Sequence, residues 1–171
     1  MTTILADFKV GAMVSDTMVK DLGDNIWHEP KIFLAKKHKM LIAGAGSCES
    51  EDQIIGWFRK NGLTSKEEWP PKVPDNQTEY LLMTPKGLYH FNSDYWEPKR
   101  IPSGLMTAGS GTPFVRAAYE ALGERTLENM KKAVKIACKF SLNSRLPLQV
   151  KYLPGRTQKK GIECHSKNTI P

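Results

Sequence analysis

Cysteine is scarce in this chain and follows no pattern. The 171 residues hold three, Cys48, Cys138 and Cys164. An odd, scattered count argues against a disulfide framework, and no pair has metal-ligand spacing. The histidines (His28, His38, His90, His165) are just as dispersed, and Cys164-His165 falls in a polar tail where it reads as incidental. Neither a metal nor a cofactor is expected. Long apolar runs are missing too. The longest, Met40-Leu41-Ile42-Ala43, is far short of the roughly 20 residues a membrane span needs. Asp7 and Lys9 interrupt the start before a signal peptide's hydrophobic stretch could form. The expectation is a cytoplasmic protein without a membrane partner. There is no G-x-G-x-x-G, and no P-loop lysine follows Gly44 and Gly46, so no nucleotide signature is present.

What remains is an ordinary globular composition, 40% hydrophobic and 25% charged. The length suits one domain that buries about 70% of its unfolded surface. The net charge of +7 raises the question of nucleic acid. The distribution answers it. Basic residues gather in Lys36-Lys37-His38-Lys39, a tight turn by its pattern, and in the tail from Arg156 to Lys167, and aromatics do not interleave with them as a stacking platform requires. Nucleic acid is not expected as a partner.

Taken in order, residues 3–8 and 12–19 read as two strands of a hairpin around Gly11, and residues 20–30, with Gly, Asp, Asn and Pro, as a connection. A second hairpin pairs residues 31–35 with 40–43 across the basic turn. Gly44-Ala45-Gly46-Ser47 then leads into a helix over residues 49–60, whose first turn is acidic and whose stop is Asn61-Gly62. Residues 63–78 read as an irregular, proline-bearing surface loop. Residues 79–84 and 88–91 form a hairpin around Pro85-Lys86-Gly87, and residues 92–102 another irregular loop. A short strand, the Gly109-Ser110-Gly111 turn and a helix with Thr112 as N-cap and Pro113 at its first position follow. That helix stops at Gly123. A second begins near Thr126 and places Leu127, Met130, Ala133, Val134 and Ala137 on one face. Residues 148–153 read as a last strand. The domain spans residues 1–153, and residues 154–171 form a basic polar tail expected to be disordered. Strands grouped apart from helices indicate an α+β protein with layered sheets covered by helices.

Three places carry chemistry. Removing Met1 would leave Thr2 with a free α-amine beside its own hydroxyl. With a pKa of roughly 7.7–8.0, that amine could accept the hydroxyl proton directly or through a water. Read alone, Thr2 could as well simply start an edge strand. Asp16 is a carboxylate inside an otherwise apolar strand, costly unless paired, outward-facing or functional. The glycines before the helix at residue 49 expose backbone N–H groups able to hold an anion or oxyanion.

These segments, in this order, resemble proteasome β-type subunits, and more closely the bacterial proteasome-related peptidase of the two-component ATP-dependent protease. Thr2-Thr3-Ile4 is similar to the family's mature start, Val14-Ser15-Asp16 to its second-strand aspartate segment, and Lys31-Ile32 to the lysine opening its third strand. Ile42-Ala43-Gly44-Ala45-Gly46 looks like the oxyanion-hole segment, Ala108-Gly109-Ser110-Gly111 like the Gly-Ser-Gly turn, and Ala133-Val134 with Ala137 like the last long helix. The resemblance covers residues 2–150. It implies a four-layer αββα sandwich of the N-terminal nucleophile (Ntn) hydrolase class, here with a reduced first helical layer, since one helix meets a proline-rich loop where the family has two long ones. No propeptide beyond Met1 is expected.

The resemblance also implies roles. Thr2 would be the nucleophile of a threonine-type endopeptidase, Lys31 would lower its hydroxyl pKa, Asp16 would hold Lys31, and Ser110 would orient the amine or a proton-carrying water. Gly44, Ala45 and Gly46 would form the oxyanion hole, with Gly109, Gly111, Ser141 and Ser144 in support. Where many relatives have Asp-x-x-Ser after the last long helix, this chain has Ser141-Leu142-Asn143-Ser144. The implied partners are a peptide or unfolded protein as substrate, further copies of the chain in a homo-oligomer that encloses proteolysis, and an AAA+ unfoldase. Two other readings stay open: an Ntn amidohydrolase acting on a small substrate, and a catalytically silent assembly or binding protein of the same fold.

Overall fold

A strand buried on both faces reads as a continuous apolar run, and this chain folds around several of them. The structure, a computed structural model, describes residues 2–20, 25–46, 48–63, 70, 78–92, 97–142 and 144–156. The first sheet contains β1 (Ile4–Asp7), β2 (Ala12–Asp16), β10 (Leu105–Ala108) and β11 (Leu148–Tyr152), in the order β10-β1-β2-β11. The second contains β5 (Ile32–Ala35), β6 (Met40–Ala45), β7 (Glu79–Thr84), β8 (Gly87–Asn92) and β9 (Lys99–Arg100) in sequence order. All these pairings are antiparallel.

Alternation along the strands sorts the core into three sheets of side chains. Ile4, Ala6 and Met13 point from the first sheet into the second, where they meet Ile32, Leu41, Ala43, Leu81 and Met83. Their neighbours Leu5, Ala12 and Val14 face the other way, onto α2 (Thr112–Ala121) and α3 (Leu127–Phe140) through Val115, Tyr119, Met130, Ala133, Val134 and Ala137. On the far face of the second sheet, Met40, Ile42, Tyr80, Leu82 and Phe91 pack against Ile54, Ile55 and Phe58 of α1 (Cys48–Asn61). Helix, sheet, sheet and helix pair make the expected four-layer αββα sandwich. Among the described residues, α1 alone covers the outer face of the second sheet.

Local chemistry sets the element ends. Gly62, at φ +71°, donates its N–H to the Phe58 carbonyl at 2.8 Å and ends α1 in a left-handed cap. The Thr126 hydroxyl accepts the Asn129 N–H at 3.2 Å and starts α3. The strand anticipated over residues 12–19 is instead two, because Asp16 accepts the Met18 N–H at 3.1 Å and turns the chain out of the first sheet at Thr17. The chain continues as β3 (Met18–Lys20), which pairs with β4 (Ile26–His28) in a small separate hairpin where only a connection was anticipated. Gly111, rather than Thr112, is the residue preceding α2, whose first turn carries Pro113.

Within residues anticipated as irregular loops, residues 64–69, 71–77 and 93–96 lie outside the described part, as do Ser47, Asn143 and residues 157–171 of the tail. The start of that tail is anchored. Arg156 stacks its guanidinium 4.0 Å above the Phe8 ring and donates to the Phe8 carbonyl. Opposite the helix pair, Asp7 is fully buried and accepts from Tyr119 Oη at 2.8 Å and from Arg125 Nε and Nη2 at 2.8 and 2.7 Å. Burial pushes this carboxyl up, but the hydrogen bonds from Arg125, Tyr119 and the Val10 N–H outweigh it and hold it below the ordinary carboxylate range.

Candidate active site

The start of the chain lies at one end of the first sheet, where residues from both sheets converge on it. Thr2 is buried to 7% exposure and Thr3 completely. The Thr2 carbonyl accepts the Gly111 N–H at 3.3 Å, and the Thr3 N–H donates to Asp16 Oδ1 at 2.7 Å. Those bonds fix the peptide unit between Thr2 and Thr3 from both of its polar ends.

Asp16 does a second thing with the same carboxylate. Lys31 Nζ donates to its Oδ1 and Oδ2 at 3.2 and 3.0 Å, and also to the Met18 carbonyl. Both side chains are almost completely buried, so the pair is held by charge, geometry and added hydrogen bonds together. The lysine is thereby tethered through one carboxylate to the residue next to Thr2. Thr2, Lys31 and Gly46 line a common cavity of about 130 Å³, with Met18, Val19 and Phe33 among its other walls. Lys20, Glu29 and Asp52 also line it, and a fixed ammonium sharing a cavity with a threonine hydroxyl favours the alkoxide.

The glycines matter through space. Gly109, at φ +87°, would place a Cβ 2.1 Å from the Thr2 carbonyl oxygen, and a Cβ on Gly111 would lie 1.8 Å from Thr3 Oγ1. Only a chain without side chains at these two points can bring the turn against residues 2 and 3.

No family model and no curated protein matches the sequence. Solved structures do match. HslV from Trypanosoma brucei is 18% identical, aligned over 88% of this chain and 98% of its own, with a TM-score of 0.61. BPH from Thiobacillus denitrificans is 18% identical over 91% of this chain and all of its own, with a TM-score of 0.65. A Gly-1 mutant of Anbu from Hyphomicrobium sp. strain MC1 is 10% identical over 89% of this chain and 81% of its own, with a TM-score of 0.66. The fold is that of the proteasome-type Ntn hydrolases.

On this Ntn-hydrolase fold the anticipated site residues separate into groups. Thr2, Asp16, Lys31, Gly109 and Gly111 come together as described. Of the anticipated oxyanion segment, Gly46 borders the cavity at φ +143°, while Gly44 and Ala45 belong to β6 and pair with Tyr80 and Glu79. Ser110 is exposed at the tip of its turn, and its hydroxyl makes no hydrogen bond to another described residue. Ser144 is fully buried and reaches Thr3 rather than Thr2, its Oγ standing 2.6 Å from Thr3 Oγ1 and accepting from Ser141 Oγ at 3.3 Å. Cys138 on α3 does not compete as a nucleophile: burial, then the Asp16 charge, push its thiol up to about 11.

Two residues enter that sequence reasoning missed. Gln149 on β11 accepts the N–H groups of both Lys31 and Ile32 at 2.8 Å and donates to the Ile32 carbonyl at 2.9 Å, so it fixes the backbone that carries the lysine. Glu79 on β7 accepts the Gly109 N–H at 2.6 Å. The available signal was a polar side chain within each strand, Gln149 between Leu148 and Val150 and Glu79 opening an apolar run, but neither partner was visible from sequence.

Proposed function

We propose that this chain is a threonine-type peptidase that uses Thr2, freed of Met1, as nucleophile and the Thr2 α-amine as base. One observation carries the reading: Asp16 binds the Thr3 N–H and the Lys31 ammonium with the same carboxylate, which holds a buried cation in the cavity that Thr2 lines. In this scheme the amine takes the hydroxyl proton, directly or through a water held by Ser110. Thr2 Oγ1 attacks the scissile carbonyl, and the Gly44-Ala45-Gly46 segment supplies an N–H to the oxyanion at Gly46, where it borders the cavity. The amine then returns the proton to the departing nitrogen, leaving an ester on Thr2. Water, deprotonated by the same amine, hydrolyses that ester and restores the hydroxyl. Lys31 remains protonated throughout and stabilises the developing negative charge. No cofactor is required.

The substrate class in this reading is a peptide or unfolded protein. Self-association into an enclosing homo-oligomer, with an AAA+ unfoldase as partner, belongs to the same proposal. Exposed Phe114 and Phe140, stacked with centroids 6.1 Å apart, and exposed Leu142 and Leu146 support self-association. The decisive test joins intact mass with labelling by epoxomicin, the ligand in a second BPH structure. Loss of Met1, covalent label mapped to Thr2, and no peptide turnover in Thr2→Ala are expected. Turnover unchanged in Thr2→Ala ends the proposal.

A further inference from the structure

The turn that seats Thr2 is itself held from the other sheet. Glu79 is the first residue of β7, and its register partner on β6 is Ala45. Leu81, two residues on, points into the space between the sheets, so Glu79 faces the same way. From there its Oε1 accepts the Gly109 N–H at 2.6 Å. Its Oε2 lies 3.2 Å from Nε2 of His90, a buried residue of β8 opposite Leu81. Gly109 in turn packs against the Thr2 carbonyl, and its own carbonyl accepts the Thr112 N–H at 3.0 Å, closing the turn into α2. The series His90, Glu79, Gly109, Thr2 therefore runs continuously from the second sheet to the candidate nucleophile.

We infer that Glu79, backed by His90, is a positioning residue that fixes the Gly109–Gly111 turn and through it the Thr2 backbone. Its catalytic consequence rests on the peptidase reading above; its structural content does not. The backbone of Glu79 pairs with Ala45 while its side chain holds the turn, so one residue links the Gly44–Gly46 segment to the turn that packs against Thr2. The carboxylate form suits this work. Burial pushes the carboxyl up, yet the hydrogen bonds from His90 and the Gly109 N–H, with the His90 charge, hold it below its ordinary range. An ionised acceptor makes a stronger bond to a backbone N–H than a neutral one.

The test compares Glu79→Gln, which keeps an acceptor oxygen for the Gly109 N–H, with Glu79→Leu, which does not. For epoxomicin labelling of Thr2, the maximal rate should fall at least tenfold in Glu79→Leu and by no more than about threefold in Glu79→Gln. The half-saturating concentration should stay within about twofold of the parent in both. Backbone hydrogen exchange at Gly109 and Gly111 should speed up at least tenfold in Glu79→Leu alone. Should Glu79→Leu fail to fold, His90→Phe replaces it: Glu79 then loses its backing partner, and a slower maximal rate with faster Gly109 exchange is expected. An unchanged rate and unchanged exchange in Glu79→Leu overturn the inference, as does an equal loss in Leu and Gln variants. Should the parent not label at Thr2, the peptidase reading fails, and Gly109 and Gly111 exchange alone decides the positioning role.

Discussion

Gly111 gives Thr3 the room its side chain occupies: a Cβ there would lie 1.8 Å from Thr3 Oγ1 and 2.8 Å from Thr3 Cβ. The backbone of Gly111 is ordinary, at φ −81°, so space and not conformation requires the glycine. The hydroxyl it would strike is engaged, 2.6 Å from Ser144 Oγ. Gly111→Ala should therefore push the turn off residues 2 and 3, costing about 1–3 kcal/mol as other overpacked sites do. Thr2 labelling should fall at least tenfold. Urea unfolding and labelling kinetics check both, and a variant as stable and as reactive as the parent would refute the packing argument.

Lys31 and Asp16 allow structural and chemical roles to be separated. Lys31→Met leaves the buried Asp16 carboxylate without its ammonium, which should cost about 3–5 kcal/mol. Adding Asp16→Asn removes the uncompensated charge, so the double variant should recover much of that stability. In the proposed mechanism it should not recover reactivity, because the cation assigned there to the Thr2 alkoxide is still gone. Denaturant midpoints and epoxomicin labelling of the singles and the double give the cycle. Labelling restored along with stability would show that Lys31 acts only in folding.

Gln149 satisfies three backbone groups at the start of β5 with one amide. Gln149→Leu keeps the volume but strips the N–H groups of Lys31 and Ile32 of their acceptor, at about 1–3 kcal/mol. Gln149→Glu keeps the acceptor and loses the donor to the Ile32 carbonyl. Stability should thus fall more in Leu than in Glu at neutral pH, measured by the denaturation midpoint. The reverse order would assign the side chain to shape rather than hydrogen bonding.

These cases show what the sequence could and could not reveal. The apolar runs at residues 40–43 and 80–83 and the helical spacing from Leu127 to Ala137 declare buried strands and a packed helix, because burial is written into composition along the chain. Thr2, Asp16, Lys31 and the glycine turn were legible as an ordered set, and the fold gathers most of them. Gln149 was not, since its partners lie 117 and 118 residues away and hydrogen bonding to backbone demands no particular residue type there. Glu79 was hidden for the same reason across 30 residues. The β3–β4 hairpin escaped because its strands have three residues each and β4 is exposed throughout, so no burial pattern marks it. Ser144 contacts Thr3, the residue after Thr2, and spacing along the chain does not distinguish those two neighbours.

Acid should weaken this fold through Asp7. The carboxyl lies below its ordinary value of 3.8 in the folded chain, because the bonds from Arg125, Tyr119 and Val10 overcome its burial. A group depressed in this way stabilises the folded state fully above its unfolded pKa, and that contribution disappears as pH falls through the folded value. Stability should be level with respect to Asp7 at neutral pH and decline below about pH 4. Asp7→Asn keeps the shape but removes the ion pair with Arg125, so it should be less stable than the parent at pH 7. It should also lose less stability than the parent on acidification, because the depressed carboxyl is gone. Glu79 is depressed as well and contributes in the same direction, so the residual slope in Asp7→Asn should shrink again when Glu79→Gln is added. Urea midpoints measured from pH 7 downward give both slopes. A slope in Asp7→Asn as steep as the parent's would mean that Asp7 is not a source of the acid sensitivity.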